Sequence, residues 1–160
     1  MSANDLVVTQ LNMNTALFES FTKDYTDQDA SVMPCPDSPH LNWILCHVAT
    51  TEDWVMSTLS GQPMKLPEKV TSVYNGGSPC KADDGMTRAE AWKMFSETRA
   101  RAVAFVKSYD MSRLNDPAPK GTPPMFPTIG SLVALIGGHA FWHFGQMTVT
   151  RRMLNKPKMF

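Results

Sequence analysis

Apolar side chains recur at three- and four-residue spacing along four segments of the chain, separated by stretches rich in proline, glycine and short polar residues. The first segment runs from about Asp5 to Tyr25, where Leu11, Asn14, Phe18, Phe21 and Tyr25 fall on one stripe with Asn14 as its polar member. After Pro34, Pro36 and Pro39, the pair Ser38-Pro39 suits the start of a second helix from about His40 to Leu59, which Gly61 and Pro63 stop. Thr87-Arg88-Ala89-Glu90 reads as a capping box, and the third stripe continues through Trp92, Phe95, Val103, Phe105 and Val106 towards Tyr109. A fourth helix is expected from Thr128 to about Asn155, after Pro123, Pro124 and Pro127 and before Pro157. The best strand signal, Lys69 to Tyr74, is short and has no partner to pair with. Four helices around one core predict an all-α four-helix bundle, one domain over residues 1–160. The connections from about Ser60 to Met86 and from about Asp110 to Pro127 are longer than a tight antiparallel turn needs. At least one of them is expected to cross the bundle or cover a pocket.

Composition narrows what such a bundle does. A chain of 160 residues can bury roughly 70% of its unfolded surface in one core. Its 15 basic and 15 acidic side chains cancel, so no overall field gathers nucleic acid or an anionic membrane, and neither partner is expected. Arg151, Arg152 and Lys156, near the end of the fourth helix, are accounted for by the negative end of the helix dipole. Cys35, Cys46 and Cys80 are odd in number and irregularly spaced, which argues against a disulfide framework or a CxxC site and for reduced thiols in a cytoplasmic protein. Met1 to Asp5 lacks a basic region followed by an apolar one, and no later run approaches the apolar length of a membrane span.

The candidate chemistry lies in the histidines. His139 and His143 stand one helical turn apart in the fourth segment, on the face shared by Leu132, Leu135, Ile136, Met147 and Thr150. His47 has Trp43, Ile44, Thr51 and Trp54 as stripe neighbours, again a core-facing set. A single core histidine is explained by a carbonyl partner. Three of them, two paired, would each need separate satisfaction, whereas one shared metal ion resolves all three and also removes the repulsion between neighbouring imidazoles. His40, at the start of the second helix, reads as a surface or capping residue. An HExxH protease would place its general base directly after the first histidine, where this chain has Ala140, so that mechanism is set aside.

Taken together, Trp43-Ile44-Leu45-Cys46-His47-Val48 and the string from His139 to Gln146, HAFWHFGQ, leading on to Arg151-Arg152, resemble the DinB-like (DinB/YfiT) superfamily over nearly the whole chain. The resemblance implies a four-helix bundle in a mirror variant of up-and-down connectivity, often dimeric. In that family three histidines, one from the second helix and two from the last, hold a divalent metal such as nickel, zinc or iron. By this resemblance His47, His139 and His143 carry over as ligands. Some relatives transfer low-molecular-weight thiols such as bacillithiol or mycothiol, while many have no assigned activity, and the family name implies no DNA binding. The loop Tyr74-Asn75-Gly76-Gly77-Ser78 resembles a glycine-serine segment of some relatives and reads by itself as a turn.

Three imidazoles leave a divalent ion with an open position, the pattern of a catalytic site, where a water or a thiol ionises near neutral pH. No protein nucleophile is then needed. Cys46 points about 100° away from His47 and reads as a small buried apolar residue. Gln146 and Asn14 are candidates to orient a ligand or substrate around the metal, with ordinary backbone partners as the alternative. Glu52 lies about 140° round the helix from His47 and reads as a solvated side chain. Gly137-Gly138 suits close packing against another helix or room for a ligand. Trp43, Trp54, Phe141 and Trp142 read as core or dimer-interface aromatics. The expected function is a metal-dependent enzyme, most concretely a thiol-dependent transferase acting on an electrophilic small molecule and working as a homodimer. Metal-assisted hydrolysis is the nearest variant, and a non-catalytic bundle that binds a ligand or partner is the competing class.

Overall fold

The computed structural model describes residues 1–81 and 84–159. Among the described residues there are five α-helices: α1 (Ala3–Thr22), α2 (Leu41–Ser60), the short α3 (Glu68–Tyr74), α4 (Arg88–Ser108) and α5 (Ile129–Met153). The four long ones occupy the four periodic segments, and each begins where a side chain takes up free N–H groups. Ser2 with Asp5, Thr87 with Glu90, and Thr128 with Ser131 form capping boxes, and His40 caps α2 by accepting from the Trp43 N–H through Nδ1 at 3.2 Å.

The segment from Lys69 to Tyr74 is helical rather than a strand. Pro67 sits just before it, with the backbone N–H groups of Val70 and Thr71 bonded to the Pro67 carbonyl at 2.8 and 3.0 Å. A lone strand would leave its backbone groups without partners, whereas a helical turn satisfies them internally. Among the described residues there is no strand, only an isolated bridge between Pro117 and Thr128.

The long helices do not follow one another round the bundle. α2 packs on α4 and α5, and α1 packs on the same two, so the successive pairs α1/α2 and α4/α5 stand on the diagonals. A diagonal step needs a long connection, which is why the chain uses residues 23–40 and 109–128 there. The second of these is pinned to the start of α5 by the Ile129 N–H on the Asp116 carbonyl and the Gly130 N–H on the Leu114 carbonyl, at 3.0 and 2.8 Å. The core runs from an aromatic end, where Phe18 meets Phe95 and Phe144 with centroids 5.1 and 4.7 Å away, to an aliphatic end around Leu11, Val55, Val106, Leu132 and Ile136. Each such side chain contributes about 1.5–3 kcal/mol by leaving water.

Three polar residues are more buried than their sequence positions suggested. Glu52 is 2% exposed and holds the Arg99 guanidinium through both oxygens, at 2.5 and 3.2 Å, while Arg99 also donates to the Leu11 carbonyl. The direction opposite His47 faces α4 instead of solvent, because α2 is covered on nearly every side. Arg151 is buried and grips the end of α1, donating to both carboxylate oxygens of Asp24 and to the Phe21 carbonyl. From the last turn of α5 it thereby also ties that helix to the end of α1. His40 does cap α2, yet it is buried, with Nε2 at 2.8 Å from the Lys81 carbonyl.

Candidate metal centre

α2 and α5 lie side by side, and their facing stripes bring His47 against His139 and His143. Nε2 of His139 lies 3.2 Å from Nε2 of His47 and 3.2 Å from Nε2 of His143. The ligand atoms of the three all fall within 4.8 Å of one another, and all three residues are buried. Two of the rings are held from behind. Nδ1 of His47 faces the Tyr74 carbonyl at 2.7 Å, and Nδ1 of His143 faces Oε1 of Gln146 at 2.7 Å. Both partners accept only, so Nδ1 must carry the proton in each ring and Nε2 must present its lone pair to the cluster. The Tyr74 carbonyl belongs to the 60–86 connection, which thereby acquires a role at the site that the sequence did not show.

Burial also keeps the three rings neutral. It pushes the pKa of His139 down to about 3, helped by His143 and His47. Burial lowers His143 to about 4 against the opposing bond to Gln146, and lowers His47 against the Tyr74 carbonyl. Neutral imidazole is the form that binds a metal.

A divalent ion fits this arrangement. If His139 keeps a proton on Nε2, it can give it to one neighbour only, and at least one buried lone pair stays unsatisfied. If it keeps the proton on Nδ1, three lone pairs meet, and Nδ1 itself is buried with no hydrogen-bond partner. One cation at the meeting point satisfies the cluster. The spacing suits it, since three nitrogens bound at zinc-like distances in a tetrahedron stand roughly 3.3 Å apart.

The surrounding candidates divide. Gln146 meets the back of the His143 ring, and Trp43 stacks on the His47 ring with centroids 4.6 Å apart. Asn14 does not reach it: Nδ2 donates to the Gly137 carbonyl at 2.9 Å and so ties α1 to α5. Gly137 is where α5 approaches α1, because a Cβ there would lie 2.5 Å from Oε1 of Gln10, whereas Gly138 faces open space. Cys46 is buried beside the site without joining it, and burial pushes its thiol pKa far up. Phe141 and Trp142 are exposed and not part of the core. Trp142 instead edges against His139 and, with Trp54, lines a cavity of about 460 Å³ that reaches His47 and His139. Both long connections help to build it, through Asn75 and Gly76 on one side and Pro123, Met125 and Phe126 on the other.

A sequence profile of the DinB superfamily matches residues 10–147. Among solved structures, a conserved protein from Enterococcus faecalis is similar over 97% of this chain and 98% of its own, with a TM-score of 0.68 and 24% identity, a likeness of fold. No curated protein matches the chain.

Proposed function

The chain belongs to the DinB superfamily, and from that premise we propose that it is a metal-dependent enzyme whose ion is held by His47, His139 and His143. The observation that carries this reading is the convergence of three neutral, buried imidazoles on one point, two of them oriented from behind by Tyr74 and Gln146. A divalent transition metal there, nickel, zinc or iron, supplies Lewis acidity that lowers the pKa of a thiol or water in its free position. The protein's own part is to hold the rings in the ligating tautomer, to keep bulk water from the cluster, and to seat a small molecule in the adjoining cavity. The favoured reaction is thiol transfer. The sulfur of a low-molecular-weight thiol bonds to an electrophilic carbon, the thiol proton passes to solvent, and the leaving group departs with the broken bond's electron pair. The cavity beside the histidines supports this reading, since it leaves room for a second reactant.

Elemental analysis of the purified protein beside a His143→Ala variant is the direct test. The expected result is about one divalent ion per chain in the wild type and a large loss in the variant; a wild type that takes up no metal under any loading condition overturns the reading. With metal present, thiol-transfer activity is expected, and activity towards hydrolysis alone, or towards neither, transfers the site to a hydrolase or to a ligand-binding bundle. The same reading includes a homodimer. It is supported by the exposed apolar residues Trp142, Val149 and Met153 along α5, and sedimentation at micromolar concentration tests it. Among the described residues no helix is long and apolar enough to cross a membrane.

A further inference from the structure

The cavity of about 460 Å³ between α2, α5 and residues 123–126 has the volume of a small-molecule site, and two of the three candidate ligands, His47 and His139, line it. It is therefore a way from solvent to an ion held there. Trp54, Phe126 and Trp142 stand round the same space. The Trp54 and Phe126 rings are 6.1 Å apart at the centroids, and Trp142, edge-on to the His139 ring at 5.6 Å, is 66% exposed. Aromatic faces left open to water beside the histidines favour a flat apolar body laid against them. A groove of about 450 Å³ between α1 and α4 differs in kind: Glu19, Lys23, Asp27 and Arg88 line it, charges of both signs.

Charge is the second constraint. Among the described residues no Asp, Glu, Lys or Arg lines the aromatic cavity. Imidazole ligands are neutral, so a divalent ion on His47, His139 and His143 keeps both its positive charges. Glu52 and Asp53, the acidic residues of α2, do not offset them, because each is paired with an arginine of α4, Arg99 and Arg101. The three histidines are buried, and a charge among them is screened far less than one in water. What neutralises the ion must come with the ligand.

We infer that the cavity takes an aromatic monoanion: a flat ring system against Trp54, Phe126 and Trp142, carrying one ionised donor, a thiolate or a carboxylate, that reaches the ion. The inference rests on the metal reading proposed above and adds the class of molecule that the site admits. A cationic counterpart would gain from the aromatic faces, yet it would meet the ion's charge with no carboxylate on the wall to offset it.

The test is calorimetry on the metal-free and the zinc-loaded protein, with zinc content followed by elemental analysis. Four probes share one ring system: 2-naphthoate, 2-naphthalenethiolate, 2-naphthylmethanol and 2-naphthylmethylammonium. Loading with zinc is expected to tighten an anion by about tenfold or more, to change the alcohol by less than about threefold, and to weaken the ammonium by about tenfold. The anion that gains more identifies the donor. On the loaded protein, Phe126→Ala and Trp142→Ala should each weaken that anion by about fivefold and leave acetate unchanged, a contrast that loss of fold or of metal does not produce. With zinc bound, three results overturn the inference and leave the metal reading standing: neither anion gains on loading, the ammonium tightens, or both alanine variants bind the anion as the wild type does. A protein that takes up no zinc overturns the metal reading, and the inference with it.

Discussion

Burial holds the imidazoles of His47, His139 and His143 uncharged, and that has a consequence for stability. Unfolded, each titrates near pH 6.5, whereas in the fold the pKa of His139 drops to about 3 and that of His143 to about 4. Between these values the unfolded chain binds more protons than the folded one, so the stability of the metal-free protein rises with pH through that window. Its urea midpoint is expected to fall as the pH is lowered from about 7 to about 5, and His139→Leu to flatten that dependence. A midpoint that rises on acidification contradicts the assignment. Glu52 and Arg99 form a second buried group of a different kind. Glu52→Gln leaves the guanidinium without its counter-charge, with an expected cost of about 3–5 kcal/mol by denaturant unfolding. Pairing Glu52→Leu with Arg99→Met should recover most of that loss. His139 and His143 were legible as a pair because residue type and four-residue spacing are local facts, and His47 joined them through its core-facing stripe and the family resemblance. Glu52 was not, because a helical wheel says which residues share a face and nothing about what that face meets.

The elements owe their ends to short-range chemistry and their placement to close approaches. The capping box at Thr87 was readable, since its partner Glu90 lies three residues on, whereas at Thr128 the sequence showed the helix start and the structure added the box with Ser131. The glycines of α5 were only half readable, and their roles separate in the structure. A Cβ on Gly130 would meet the Leu114 carbonyl oxygen at 2.8 Å, where backbone anchors the 110–127 connection. Gly130→Ala is therefore expected to cost about 1–3 kcal/mol despite a better helix former. Gly138 has nothing within 4 Å, so Gly138→Ala is expected to stabilise by up to about 1 kcal/mol. Thermal melting of the two variants should move in opposite directions, and a shared sign would show that α5 does not lie against Leu114 as described. The helical turn at α3 is the converse case: a short strand signal without a partner gives way to a helix, on which Val70, Val73 and Tyr74 stand at helical three- and four-residue spacing.

At the scale of the whole molecule, the proposed metal joins α2 to α5 across 92 positions of sequence, so its binding energy adds to the stability of the entire bundle. With free metal at about 100 times its dissociation constant the gain is about 2.7 kcal/mol, or roughly 5–10 °C in melting temperature for a chain of this size. The wild type is expected to show that rise and His143→Ala to show almost none; equal shifts in both would place the ion elsewhere. The sequence by itself determined the helical segments, their caps and the histidine faces, since periodicity and capping act within about four residues. Only the tertiary structure decided that α1 and α2, and α4 and α5, stand on diagonals, so that α2 and α5 become neighbours. It also decided that the Tyr74 carbonyl sets the tautomer of His47 and that the two long connections wall an aromatic cavity beside the histidines. Those facts depend on which distant elements touch, and contacts of that range are set by the packing of the whole chain, which no local spacing records.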